Sequence, residues 1–309
     1  MPMPFVPGER DLRPGAPRLL AISDLHAGHL DNRRIIGDLR PAHPGDWLII
    51  AGDVADTIDD TVRVVSELRE RFARVIWVPG NHELLAPVDA PPEDRGEARY
   101  RRLVAELQAS GIDTPEDPFP VWEDATGKTV IAPLFLLYDY GFGTRWGASK
   151  EERLKLAHDA RVVCVDEYLL DPAPHASRED WCTARVAEAE RRLSAIDPSL
   201  PTVLVNHWPL IEDPTFKLRL PEFALWCGTP QTADWHVRFR ARACVYGHLH
   251  IGRRHWNDGV RFEEVSLGYP REWKRRFHPP GARVILPWAR ERERAAAAAA
   301  ASTAPTAAR

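Results

Sequence analysis

A chain of 309 residues with 44% apolar side chains can bury one large core, and no second domain is needed to account for it. Its 41 Lys and Arg stand against 45 Asp and Glu, and a net charge of −4 excludes broad electrostatic attraction to nucleic acid or acidic membranes. No segment approaches a membrane span, the N-terminal Met-Pro-Met-Pro stretch lacks the apolar run of a signal peptide, and Cys164, Cys182, Cys227 and Cys244 lack the spacing of a zinc site or disulfide scaffold. A cytoplasmic protein with reduced, mostly buried thiols is expected.

Residues 1–17 read as an N-terminal extension. The predicted elements then begin with Leu19 to Ser23, a short run rich in apolar side chains that ends in Asp24-Leu-His26. Trp47 to Ala51 leads in the same way into Gly52-Asp53, and Ile58, Val62, Val65, Leu68 and Phe72 follow at intervals of three and four, one face of a helix. Val75 to Val78 leads into Gly80-Asn81-His82. After it comes a long irregular stretch, 132–176, containing Tyr138-Asp-Tyr-Gly-Phe-Gly-Thr-Arg145-Trp146. Residues 178–194 carry a sparser helical stripe of Val186, Ala189 and Leu193. Val203 to Val205 leads into Asn206-His207, and Cys244 to Tyr246 into Gly247-His248-Leu-His250. Short Val-, Ile- and Leu-rich runs bounded by Gly, Pro or Asp read as buried strands, and their alternation with helices over 18–110 indicates the α/β class. The domain is expected to span 18–290. From Glu291 the chain passes into an alanine run, Ala295 to Ala301, which has no apolar face beyond methyl groups and reads as a disordered tail, 291–309.

All the polar motifs lie at the carboxyl ends of predicted strands, where loops of helix-covered sheets converge on ligands. Carboxylate, amide oxygen and imidazole are the donors that hard or borderline divalent cations take. Any one motif is ordinary turn chemistry; together, in fixed order, they supply only metal-competent groups. Asp53 is the candidate bridge, since one carboxylate can give an oxygen to each of two cations. Asp24, His26 and His250 complete one site, and Asn81, His207 and His248 the other. Two cations about 3.5–4 Å apart clamp an in-line displacement at phosphorus. On extended backbone His82 points away from Asn81, which frees it to act as general acid, with Asp56 orienting it.

The set D-x-H, G-D-x-x-D, G-N-H-E, N-H and G-H-x-H, in this order over residues 18 to about 268, resembles the calcineurin-like metallophosphoesterase family. The resemblance implies a four-layer αββα sandwich of two mixed β-sheets flanked by helices, with a di-metal centre at one sheet edge. It implies Asp24, His26, Asp53 and His250 on the first metal, Asp53, Asn81, His207 and His248 on the second, His82 as acid and Asp56 as its support. Where the protein-phosphatase branch has Asp-Arg-Gly, this chain has Asp56-Thr57-Ile58, so that branch's phosphate-gripping arginine is missing. The closing Gly247-His248-Leu-His250 is closer to the phosphodiesterase and nuclease branches. Length, acidic balance and the lack of a Cys-x-x-Cys hook stand against a repair nuclease.

The expected activity is hydrolysis of a phosphomonoester or phosphodiester by a metal-bridging hydroxide, on a small-molecule or nucleotide substrate. Two divalent cations are expected, manganese foremost, with iron, zinc or magnesium as alternatives. In the 132–176 stretch, Tyr138 and Arg145 are candidate substrate contacts, through stacking and a bidentate grip on phosphate. A packed loop whose rings cover the sheet is the alternative. Trp226 to Thr229, Trp235-His236 and Gly268 to Arg271 are further candidate walls, and His29 follows the first motif closely enough to reach substrate. The competing function is an interaction protein that keeps the scaffold without turnover; a decayed site would have lost ligands, and here every position is filled.

Overall fold

The computed structural model describes residues 15–147, 149–276 and 279–288; the expected tail, 291–309, lies outside them. In chain order the elements are β1 (Leu19–Ile22), α1 (Leu30–Asp38), β2 (Trp47–Ala51), α2 (Ile58–Arg69), β3 (Arg74–Val78), α3 (Asn81–Leu84), α4 (Gly96–Ala109), β4 (Val121–Asp124) and β5 (Gly127–Pro133). They continue with α5 (Lys150–Asp159), α6 (Asp166–Leu169), α7 (Arg178–Ser194), β6 (Thr202–Val205), α8 (Trp235–Arg238), β7 (Ala241–Tyr246), β8 (Arg254–Asn257), β9 (Val260–Glu264), α9 (Pro270–Trp273) and β10 (Arg283–Leu286). Two sheets form, one of order β10-β1-β2-β3 and one of order β4-β5-β6-β7-β9-β8. Both are mixed: β1, β2 and β3 run parallel with β10 antiparallel, while β5, β6, β7 and β9 run parallel between antiparallel β4 and β8.

The side-chain period of two explains why the central strands are apolar throughout. Leu19, Ala21, Ile49, Ala51, Ile76 and Val78 point into a layer shared with Ile131, Val203, Val205, Ala243 and Val245 of the other sheet. Their neighbours Leu20, Ile22, Leu48, Ile50, Val75 and Trp77 face the opposite way, among helix residues such as Ile36, Val65, Leu68 and Leu103. Both faces of each sheet are therefore covered, which is the expected αββα sandwich. The helix read from Ile58 to Phe72 starts where Thr57 accepts from the Asp60 N–H at 3.1 Å, with Asp59 and Asp60 in the first turn and Arg69 in the last. The 178–194 helix starts the same way, Ser177 accepting from the Asp180 N–H at 3.0 Å.

The two sheets are tied together at their carboxyl ends. Ser23, just past β1, bridges Ser266, just past β9. At the opposite end Asp46 accepts from the Arg18 N–H at 2.8 Å, from the Arg18 guanidinium at 2.7 Å and from the Ala42 N–H at 2.9 Å. The first clasp joins the two sheets; the second joins the starts of β1 and β2 within one sheet.

Candidate metal centre

Among the described residues nine non-glycine positions have φ above zero, and five of them are Asp24 (51°), His26 (40°), Asp53 (56°), His248 (68°) and His250 (53°). Left-handed backbone is uncommon for residues with a Cβ and costs of order 1–3 kcal/mol where it is not locally compensated, so this concentration marks a site that the surrounding fold enforces. The loops also close on one another tightly. A Cβ on Gly52 would lie 2.6 Å from both the Gly80 nitrogen and His207 Nδ1, and one on Gly80 would collide with the Asp53 carboxylate. Only glycine lets β2, β3 and the His207 loop meet this closely.

Asp24, His26 and His250 bring their donor atoms together, as do Asp53, His207 and His248, and as do His26, Asp53 and His82. The three groups share His26 and Asp53, so they form one continuous centre. It lies beyond the carboxyl ends of strands from both sheets, β1, β2 and β3 from one and β6 and β7 from the other. That corrects the expectation of a single sheet edge, and the cause is the Ser23–Ser266 junction, which brings the two sets of strand ends side by side.

Asp24 is fully buried, and its Oδ1 lies 2.8 Å from His250 Nε2. Its Oδ2 accepts from Ser23 at 2.5 Å and Ser266 at 2.6 Å, while His250 Nδ1 is held by Glu272 at 2.8 Å. The Nε2 atoms of His26 and His250 are 3.3 Å apart. On the other side His207 Nδ1 donates to the Ala51 carbonyl at 2.8 Å, which turns its Nε2 toward Asp53 Oδ2 at 3.3 Å. With Nδ1 protonated, neutral His207 would present a lone pair to a carboxylate. His207 Nε2 and His248 Nε2 are buried and without a hydrogen-bond partner. The His207 nitrogen, without a hydrogen-bond partner 3.3 Å from the buried Asp53 carboxylate, is placed as a metal ligand would be, so this donor set fits divalent metals.

Among the protein's own groups, a proton meets the lone pair that neutral His207 would turn on Asp53. Burial lowers the pKa of His207, but the Asp53 carboxylate outweighs it and holds the imidazole at about 9. His250 rises to about 10, Asp24 and Glu272 overcoming its burial. Burial wins at His26, brought down to about 4, and at His248, brought down to about 3, where His207 adds to the effect. Asp53 is held well below the usual carboxylate range: burial opposes this, and His207 and His82 dominate. The centre is thus a set of carboxylates neutralised from nearby imidazoles, a charge balance that cations take over when bound.

Asn81 lies in the short helix α3, not on extended backbone as expected, so it and His82 are separated by the 100° step of a helix rather than by strand alternation. The separation of directions survives. Asn81 Oδ1 lies 3.2 Å from His248 Nδ1, whereas His82 Nδ1 lies 2.7 Å from Asp56 Oδ1 and its Nε2 lies 4.0 Å from Asp53 Oδ2. His82 rises to about 9, since Asp53 and Asp56 together outweigh its burial.

Several supports were not read from the sequence. Glu83, fully buried, accepts from the N–H groups of Asp53 (3.0 Å), Val54 (2.7 Å) and Gly80 (2.9 Å), and burial pushes its pKa up. Glu272 accepts from the Tyr269 N–H at 2.9 Å, so the Tyr-Pro-x-Glu pattern that starts α9 was its available signal. Asp166 accepts from Asn81 Nδ2 at 2.9 Å, and nothing in its surroundings announces it. Of the candidate walls, Tyr269 stacks on His26 with ring centroids 4.4 Å apart, and exposed His29 meets the Tyr269 ring edge-on at 5.5 Å.

The substrate contacts expected in 132–176 fare differently. Tyr138 is fully buried, with its ring against Tyr140 and Trp208, so it packs the core and offers no face for stacking. Trp226 and Trp235 are also buried and form no wall. Arg145 is exposed, with its guanidinium 3.3 Å from the Phe216 ring centroid.

Comparison with known proteins places this geometry. The pattern of the calcineurin-like phosphoesterase family matches residues 17–252. The chain is 52% identical over 271 residues to [acyl-carrier-protein] phosphodiesterase PptH of Mycobacterium tuberculosis, covering 88% of this chain and 84% of that protein. The crystal structure of phosphopantetheinyl hydrolase (PptH) from Mycobacterium tuberculosis superposes with a TM-score of 0.86 at 52% identity, covering 89% of this chain and 98% of that one. The chain therefore belongs to the calcineurin-like phosphoesterase family and is a metal-dependent phosphoric ester hydrolase.

Proposed function

We propose that the chain hydrolyses the phosphodiester that joins a phosphopantetheinyl group to an acyl carrier protein. The observation that carries this reading is the 52% identity to a phosphodiesterase named for that substrate, sustained over 88% of the chain. It moves the expected substrate from a free small-molecule or nucleotide phosphoester to a protein-borne diester.

In this reading Asp24, His26, Asp53 and His250 hold one cation and Asp53, Asn81, His207 and His248 the other, manganese being the first candidate. Such a pair, when bound, supplies an activated water at neutral pH and offsets charge on the phosphoryl oxygens. Asp56 takes the Nδ1 hydrogen of His82, so the second nitrogen carries its proton into the site. His82 then gives that proton to the leaving oxygen. Tyr269, flat against His26, limits how that ring can tilt. Arg145 is retained as a grip on substrate outside the centre, and Arg145→Ala should raise KM without changing metal content.

The test is mass spectrometry of phosphopantetheinylated acyl carrier protein incubated with manganese-loaded enzyme, beside p-nitrophenyl phosphate and bis-p-nitrophenyl phosphate. Loss of the phosphopantetheinyl mass from the carrier is expected. Turnover of either small ester with an unaltered carrier would defeat the proposal while leaving the hydrolase class intact.

A further inference from the structure

We propose that Asp166 is a positioning residue of the metal centre, fixing the Asn81 amide so that its oxygen, and not its nitrogen, faces the second cation. The inference rests on the reading above that Asn81 is a ligand.

An asparagine ligand has a weakness that a carboxylate lacks. Its two ends are nearly the same size, and only the oxygen can coordinate; a half-turn of the side-chain torsion presents an NH₂ group to the cation. Something must hold the amide one way round. Asp166 Oδ1 lies 2.9 Å from Asn81 Nδ2, and a carboxylate oxygen in that place accepts but does not donate. The amide nitrogen is thereby held on the side of α6, and Oδ1 is left facing the centre, 3.2 Å from His248 Nδ1.

Asp166 is itself set rigidly. It is fully buried, and it opens α6, whose Leu170 N–H returns to the Asp166 carbonyl at 3.0 Å. Arg178 donates to the same carbonyl at 2.7 Å and to those of Glu167 at 3.0 Å and Leu170 at 3.0 Å, so α7 holds the whole turn. Its other oxygen, Oδ2, is buried without a hydrogen-bond partner. A buried carboxylate is a costly way to fill space, and its Oδ1 hydrogen bond goes to a candidate ligand. The long stretch 132–176 thus reaches the metal centre through this carboxylate.

Full-length protein loaded with manganese and dialysed against graded chelator tests this, with metal per chain measured by elemental analysis and the paired-manganese signal followed by electron paramagnetic resonance. Asp166→Leu should retain one cation and release the other about 10- to 100-fold more readily, with a coupled signal giving way to an isolated one. Asp166→Asn keeps an accepting oxygen and should hold both cations close to the parent level. Because Asp166→Leu also removes a buried group, a second pair guards the result. Asn81→Asp sets two carboxylates against each other and should lose the second cation, and Asp166→Asn added to it should restore binding. Unchanged release from Asp166→Leu, or no restoration in the double variant, overturns the proposal. Asn81→Ala separates the two readings: if it loses a cation while the Asp166 variants do not, only the positioning role fails, and if it keeps both, the ligand assignment fails with it.

Discussion

On the side of His207, Asn81 and His248 every donor is sunk in the protein, at 0%, 5% and 7% exposure, beneath Trp208 and the Phe223 ring stacked on His248. On the other side Asp24 and His26 are as deeply buried, at 0% and 5%, but the His250 side chain keeps 16% exposure and the centre is bordered by Tyr269 and by His82, whose side chain keeps 20%. The buried half is oriented by groups of the fold itself, a main-chain carbonyl on His207 and Asp166 on Asn81. The bordered half is oriented by Glu272 and by the serines on Asp24, and it is where solvent meets His82, the proposed proton donor. One half of the centre is scaffold and the other is threshold.

Asp53 joins the halves, so its loss gives the largest effect. Asp53→Asn should release both cations and lower turnover by on the order of 10³-fold or more, as several kcal/mol of charge stabilisation go with them. Metal analysis checks this, and a variant that keeps one cation would assign Asp53 to a single half. Next comes His82→Ala, with turnover down by about 10²- to 10⁴-fold and both cations in place; a lost cation would make His82 a ligand of the bordered half. Glu272→Gln should weaken one cation only, by about 10- to 100-fold, leaving the buried half intact. Equal weakening of both would erase the distinction between halves.

The smallest effect is expected at the opposite end of the sheet. Burial would raise the pKa of Asp46, but hydrogen bonds from Arg18 and from the Ala42 N–H hold it below its ordinary 3.8. A depressed carboxylate stabilises the fold fully above 3.8, and that contribution fades as the pH falls through the folded value. The parent should therefore exceed Asp46→Asn by about 2 kcal/mol in urea unfolding at neutral pH, with the gap closing in acid and metal content unchanged. Altered metal content would couple the two ends of the sheet.

The parts legible in the sequence share a physical cause. Asp24, Asp53, Asn81, His207, His248 and His250 each follow a strand whose both faces are buried, and such strands write continuous apolar runs that end abruptly in polar residues. The α2 stripe was legible because one face is solvated. Asp166 and Glu272 were not, because each acts on a residue far away in the chain, 85 and 22 positions respectively. The Tyr138 expectation failed for a related reason: a ring beside glycines reads as exposed loop, yet irregular backbone here is pressed between Tyr140 and Trp208. Composition cannot distinguish a ring that covers a sheet from one that faces a ligand.

The five left-handed residues have a consequence for how this protein can change. At each of those positions glycine would adopt the same backbone without strain and would empty a crowded, charged pocket. Substitution by glycine would relieve the backbone strain while removing the donor that the chemistry needs. The same five positions thus carry both the strain of the backbone and the donors of the centre.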